Sequence, residues 1–187
     1  MVKRIVVGIT GASGIIYGIR FLEIIRELKI ESHLVISDDA LLVLKSETEF
    51  DEAYVKGLAN KVYDNKDLAA PISSGSFKIN GMVIIPCSMK TLASIALGIS
   101  DTLISRAALV TLKEKRTLVL VPRETPLSII HIEAMLKASQ AGAIILPAMP
   151  GFYHKPKTID DLVKHIIGKV LDIFRIEHSL FKRWGET

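Results

Sequence analysis

Short unbroken apolar runs alternate along this chain with longer stretches in which apolar residues recur every three or four positions. The runs predict strands at 3–9, 32–37, 82–86, 117–122 and 143–147, because a strand buried on both faces needs no polar alternation. The longer stretches predict helices at 14–28, 38–45, 88–98, 102–114, 126–140 and 159–175. The last is the most regular: apolar residues fall at 159, 162, 163, 166, 167, 170, 171 and 174, Thr158 stands ready as cap, and Asp160 and Asp161 fall in the first turn. Strictly alternating strands and helices specify an α/β fold, a parallel sheet covered on both faces. Only 48–80 departs from this rhythm. A polar helix is expected at 51–60, then a loop through Pro71 and Ser73-Ser74-Gly75-Ser76, and a loop of that length is usually functional or mobile.

In such sheets ligands bind outside the carboxyl ends of the strands. Those ends are Thr10–Gly14, Ser37–Asp39, Pro86–Thr91, Pro122–Pro126 and Pro147–Tyr153, and all carry Gly, Pro, Ser or Thr. The first is a strand-to-helix turn with glycines at 8, 11 and 14. Its G-x-x-G-x-x-G spacing is not that of dinucleotide folds and names no ligand by itself.

The 187 residues suffice for one domain. A mean hydropathy of +0.37 is high for a monomer and points to apolar surface buried between subunits. No apolar run reaches the roughly 18 residues of a membrane helix, and the N-terminus lacks a signal peptide's charged-then-apolar plan. The single cysteine, Cys87, excludes an internal disulfide and fits a reducing cytoplasm. A net charge of +4 without long basic runs argues against nucleic acid and for a local anion site.

Several strand ends carry groups with usable chemistry. Ser88, Lys90 and Thr91 at a helix start form a candidate monophosphate cradle, with a plain serine cap beside a solvated lysine as the alternative. Cys87 reads as a buried structural thiol and not a nucleophile, since no histidine is fixed near it in sequence. Arg123 is placed to grip an anionic oxygen and Glu124 to move a proton, with Thr125 as cap and Pro126 in the first turn of the next helix. Tyr153 is a donor or an aromatic face, or else an anchor for its own loop. Glu47 reads equally as a solvated helix-end carboxylate. The five histidines show no metal spacing and count as structural or surface.

Taken together, Thr10-Gly11-Ala12-Ser13-Gly14, Ser37, Pro86-Cys87-Ser88-Met89-Lys90-Thr91, Pro122-Arg123-Glu124-Thr125-Pro126, Pro147-Ala148-Met149-Pro150-Gly151-Phe152-Tyr153 and Arg183-Trp184-Gly185-Glu186 resemble the UbiX family of flavin prenyltransferases, in family order from residue 3 to the C-terminus. The resemblance implies one flavodoxin-like, doubly wound, three-layer flavin-binding domain over 1–187, in a homo-oligomer, typically a dodecamer. The tail at 176–187 would lie at a subunit interface or over the site. It implies transfer of dimethylallyl from dimethylallyl monophosphate to N5 and then C6 of reduced FMN, without a metal, for use by a UbiD-type decarboxylase. Carried over by motif, Gly11, Ala12, Ser13, Ser37, Ser88, Met89, Lys90, Thr91 and Arg123 contact the flavin. Tyr153 and Lys169 meet the prenyl phosphate with Arg123 and Lys113 nearby, and Arg106 is a candidate for a neighbouring subunit's site. Lys169 stands where some members have Arg, which keeps the charge but not the bidentate grip. Ser13, Glu47 and Glu124 match the family's functional groups, and Trp184 its C-terminal aromatic.

The residues make sense of that chemistry. Breaking an allylic C–O bond releases a phosphate dianion, which needs fixed donors, and a delocalised cation, which needs aromatic faces and little water. The opening turn then reads as the wall of the flavin ring, with Ser13 near N5, and not as a phosphate cradle. Three other readings are weaker. A flavin-dependent decarboxylase of the phosphopantothenoylcysteine type needs an asparagine where this chain has Pro150. A short-chain dehydrogenase needs a helical Tyr-x-x-x-Lys, and Pro156 interrupts Tyr153 and Lys157. A non-catalytic FMN-binding protein would share the binding motifs.

Overall fold

In the computed structural model, which describes residues 3–185, six parallel strands form one sheet. Along the chain the elements are β1 (Arg4–Ile9), α1 (Ile15–Glu27), β2 (Glu31–Ile36), α2 (Asp38–Glu47), α3 (Glu52–Gly57), β3 (Lys61–Tyr63), β4 (Gly81–Cys87), α4 (Met89–Ala96), α5 (Leu103–Lys113), β5 (Thr117–Pro122), α6 (Ile129–Gln140), β6 (Ile144–Ile145) and α7 (Ile159–Ile173), with a 3-10 turn at Pro71–Ser73. The sheet order β3-β2-β1-β4-β5-β6 is the doubly wound one. Without the three-residue edge strand β3 it is the flavodoxin-like order, as the resemblance implies.

Side chains of a strand alternate between faces, so each inner strand feeds two cores. Ile5, Val7 and Ile9 of β1 pack with α1 and α7, while Val6 joins Met82 and Ile84 of β4 against α4 and α5. Strand order reverses between β1 and β4, which opens a crevice at their carboxyl ends. Pro86 lies inside β4 at an irregularity in its ladder to β5, the kind of place a strand tolerates proline. The freed Pro86 carbonyl accepts from the Thr10 amide at 3.2 Å and the Thr10 hydroxyl at 3.0 Å. Thr10 Oγ1 in turn accepts from the Ser88 amide at 2.7 Å. A hydroxyl counted in the opening turn thus serves to fasten β1 to β4 at the switch point.

The structure corrects three expectations. Thr125 does not cap the helix expected at 126. Ser128 does, in a reciprocal pair with His131, so α6 starts at Ile129 and Pro126 lies in the loop before it. The strand expected at 143–147 shrinks to Ile144–Ile145, after which the chain still follows β5 through Leu146 N to Leu120 O and Ala148 N to Pro122 O. The polar helix expected at 51–60 is present as α3, but the loop expected after it also holds β3 and the 3-10 turn. Arg116 fastens its end by donating to the Phe77 and Gly75 carbonyls at 2.8 and 2.7 Å. Strand β3 escaped notice because three mostly exposed residues carry no period.

Beneath that edge His33 is buried, with Nδ1 2.8 Å from the Tyr63 hydroxyl and Nε2 2.9 Å from Glu31, which Arg4 also grips. Burial lowers the His33 pKa below its ordinary 6.5, against the pull of Glu31. A depressed histidine binds its proton more weakly folded than unfolded, so stability falls as pH drops through 6.5 toward the folded value. The urea midpoint is expected to fall between pH 7 and 5.5, and less steeply in His33→Gln; parallel profiles would assign the loss elsewhere.

Candidate functional site

The turn after β1 is built around two glycines and a distant carboxylate. Gly14 is the residue before α1 and adopts φ 95°, a left-handed conformation costly for other residues. At Gly11 a Cβ would lie 2.4 Å from the Asp39 Cβ, so α2 could not pack so near. Part of the glycine pattern therefore serves helix packing. Gly14 supplies no side-chain cap; Glu47, the last residue of α2, replaces it by accepting from the Gly14 and Ile15 amides at 2.8 and 3.2 Å. Partial burial raises the Glu47 pKa. The Ser13 hydroxyl, those two amides and the Arg123 charge outweigh it, so the net shift is downward. The carboxylate faces the positive end of α1, the favourable end for an anion.

On the other side of Gly11 lies a cleft of about 220 Å³, lined by Ser37, Asp39, Ser88, Lys90, Thr91, Thr102 and Ser105. Helices α2, α4 and α5 all begin there, capped by Ser37, Ser88 and Thr102. Ser88 accepts from the Thr91 amide at 3.3 Å and donates to its hydroxyl at 3.0 Å. Ser88 is a helix cap, and it stands at the mouth of a hydroxyl-rich cleft. Lys90 is solvent-exposed, its Nζ 4.0 Å from Asp39. Met89, next to it, is buried in the core and offers only its backbone.

Arg123, just past β5, donates from Nε to the Ser13 carbonyl at 3.1 Å. The turn thus carries Ser13, Glu47 and Arg123 together. Glu124 accepts from the Thr125 amide at 3.0 Å. The bond from Ala148 to Pro122 starts the next loop beside Arg123, and that loop ends in a second cluster. There Tyr153 meets His165 of α7 at 3.1 Å and packs edge-on against Trp184, with ring centres 5.8 Å apart. Trp184 is 82% exposed.

The tail bearing Trp184 is fastened to α7 by Asp172, which receives Arg183 at 2.7 Å and His178 at 3.1 Å, with Lys169 3.8 Å away. A Cβ at Gly168 would meet Phe181 at 2.4 Å and His178 at 2.7 Å. Gly168→Ala is therefore expected to weaken tail docking by about 1–3 kcal/mol, the usual cost of overpacking. Trp184 is the only tryptophan, so its fluorescence and tail proteolysis report the change; a wild-type spectrum and cleavage rate would show that the tail absorbs the methyl.

Comparison with known proteins decides what this arrangement belongs to. A model of the Flavoprotein family matches residues 1–171. The flavin prenyltransferase UbiX of Thermoplasma acidophilum is 51% identical over 97% of this chain and 99% of its own length, and that of Methanocaldococcus jannaschii 48% identical over 97% and 98%. The chain belongs to the UbiX family of flavin prenyltransferases. The AnUbiX (PadA1) structure, in complex with FMN and dimethylallyl pyrophosphate, superposes at TM-score 0.97 with 49% identity over the whole of both chains. A dodecameric UbiX-like protein from Escherichia coli O157:H7 gives 0.95 at 49% identity over 97% of this chain and 99% of its own. The peptidyl-cysteine decarboxylase EpiD, at 0.68 and 16% identity over 91% of this chain and 99% of its own, shares the fold alone.

The motifs of this UbiX relative fall into three places. Gly11, Ala12, Ser13, Glu47 and Arg123 gather at the opening turn, and Ser37 with Ser88–Thr91 at the adjoining cleft. Tyr153 and Trp184 meet beside α7, and Lys169 lies on that helix, 3.8 Å from Asp172. Arg106 follows the cleft residues Thr102 and Ser105 in the first turn of α5, whereas Lys113 stands apart. Helix α5 starts at the cleft and runs away from it, so Lys113, paired with Glu114 at 2.8 Å beside Gly75, lies at the far edge of the sheet. Only a neighbouring copy could bring it to a site. Cys87 is buried and its thiol pKa pushed far up by burial, which bears out the structural reading. Of the terminal motif, Glu186 lies outside the described residues. His165, which the sequence counts among structural or surface histidines, is buried here beside Tyr153.

Proposed function

We propose that this protein transfers a dimethylallyl group from dimethylallyl monophosphate to reduced FMN, yielding prenylated FMN for a UbiD-type decarboxylase. The observation that carries the reading is the meeting of Glu47 and Arg123 at Ser13–Ile15, beside a cleft where three helices start. That donor set fits a phosphorylated flavin. Helix N-terminal amides, Ser37, Ser88, Thr91 and Lys90 suit its phosphate, and Gly11–Ser13 offer backbone and a hydroxyl to its ring. When bound, reduced FMN supplies the nucleophilic atoms of the reaction.

The remaining work falls to side chains. Arg123, Tyr153 and Lys169 hold the departing phosphate. Glu47, kept ionised by the turn, fixes the Ser13 hydroxyl, and Glu124 receives a proton from the flavin edge. Trp184 and Tyr153 present aromatic faces to the developing allylic charge and keep water away. A homo-oligomer, dodecameric like the Escherichia coli relative, would bring Arg106 and Lys113 of a neighbouring copy to the site. It would also cover α6, where Ile129 and Ile130 are 67% and 69% exposed and Ile132 and Leu136 stand beside them. Among the described residues no helix is long and apolar enough to cross a membrane.

The test is anaerobic incubation of purified protein with reduced FMN and dimethylallyl monophosphate or, separately, the diphosphate. A flavin heavier by one prenyl unit is expected, formed faster with the monophosphate. A flavin bound but unchanged in mass would instead make this a carrier of FMN.

A further inference from the structure

His165 sits on α7 with 6% of its surface exposed, between the Gly151–Tyr153 loop and Phe181 of the tail. Its ring nitrogens have different partners. The Gly151 amide donates to Nδ1 at 3.3 Å, and since an amide only donates, Nδ1 holds a lone pair there. The ring proton then belongs on Nε2, 3.1 Å from the Tyr153 oxygen. Tyr153 therefore accepts from His165 and keeps its own hydrogen for a partner outside the protein. That oxygen belongs to a half-open residue at a cavity of about 230 Å³ shared with Arg183 and Trp184.

The surroundings hold the imidazole in this state. Burial lowers its pKa, followed by the charges of His154 and Lys169. The His154 ring lies flat on it at 4.9 Å with 2° between the planes, and neither of its buried nitrogens has a hydrogen-bond partner among the described residues. A proton on Nδ1 would break the Gly151 contact.

We propose that His165 is a positioning residue that makes Tyr153 a one-way hydrogen-bond donor toward the prenyl phosphate. This rests on the prenyl-transfer reading above but is tested by binding, with oxidised FMN in place so that no transfer occurs. In calorimetric titrations with dimethylallyl monophosphate, His165→Asn keeps an acceptor for Gly151 but loses the donor to Tyr153. It is expected to weaken binding about fivefold to tenfold, the worth of one hydrogen bond, with FMN affinity unchanged. His165→Gln, whose amide reaches the Nε2 position, should stay within about twofold of wild type by restoring that bond. Tyr153→Phe should lose as much as His165→Asn, and the double variant no more.

Additive losses, an equal fall in FMN affinity, or His165→Asn matching wild type would overturn the proposal. Nitrogen-15 spectra of ring-labelled wild-type protein, assigned with His165→Gln, decide it even if the Asn variant does not fold. A pyridine-type Nδ1 and pyrrole-type Nε2 at pH 7 are expected, and the opposite tautomer or an imidazolium rejects it. Wild-type protein that binds the prenyl phosphate but transfers nothing would sink the enzymatic reading alone. Protein that binds no prenyl phosphate would sink both.

Discussion

Glu124→Gln is expected to slow prenyl transfer by about a hundredfold to ten-thousandfold, the range for a lost acid–base group, and to leave FMN affinity unchanged. The two effects separate because Glu124 has two roles. Its Oε1 accepts from the Thr125 amide at 3.0 Å, and a glutamine oxygen preserves that bond, so the loop at the end of β5 keeps its shape. What disappears is a group able to receive a proton. Fluorescence titration with FMN and single-turnover mass spectrometry measure the two independently. Weakened FMN binding would make Glu124 a structural residue. Undiminished transfer would leave the released phosphate as the proton acceptor.

Arg123→Ala is expected to lower kcat/KM by about a hundredfold to a thousandfold, as when one preorganised donor to developing charge is removed. It also removes the 3.1 Å bond to the Ser13 carbonyl and a positive charge that helps keep Glu47 ionised. Some weakening of FMN should accompany the loss. Arg123→Lys should recover part of the rate, since it restores the charge without the planar fork. Steady-state rates for both variants over a range of prenyl phosphate provide the check. Similar rates for Ala and wild type would confine Arg123 to holding the turn.

Much of this molecule was legible along the chain. The α7 stripe from Val163 onward and its Thr158 cap appear as read, though Ile159 is exposed, because helix periodicity and capping act over a few residues. The ends of β1, β2, β4 and β5 fall within a residue of where the apolar runs put them, for the same reason. Where several local signals competed, the reading slipped. Thr125-Pro126 and Ser128 are both sensible helix starts, and Ser128 won because its hydroxyl reaches the His131 amide.

The sequence by itself determined the element types apart from β3 and the 3-10 turn, the doubly wound class, the strand-end motifs and, through their order, the family. It could not assign the long-range partners. Glu47 caps a helix 33 residues earlier, and Arg123 reaches a carbonyl 110 residues away. His165 meets Gly151 and Tyr153 only because α7 packs against that loop. Only the tertiary structure decided those pairings, along with the separation of Lys113 from the opening turn. Periodicity and capping are set by neighbours in the chain, whereas a hydrogen bond between distant segments depends on how finished helices and strands pack.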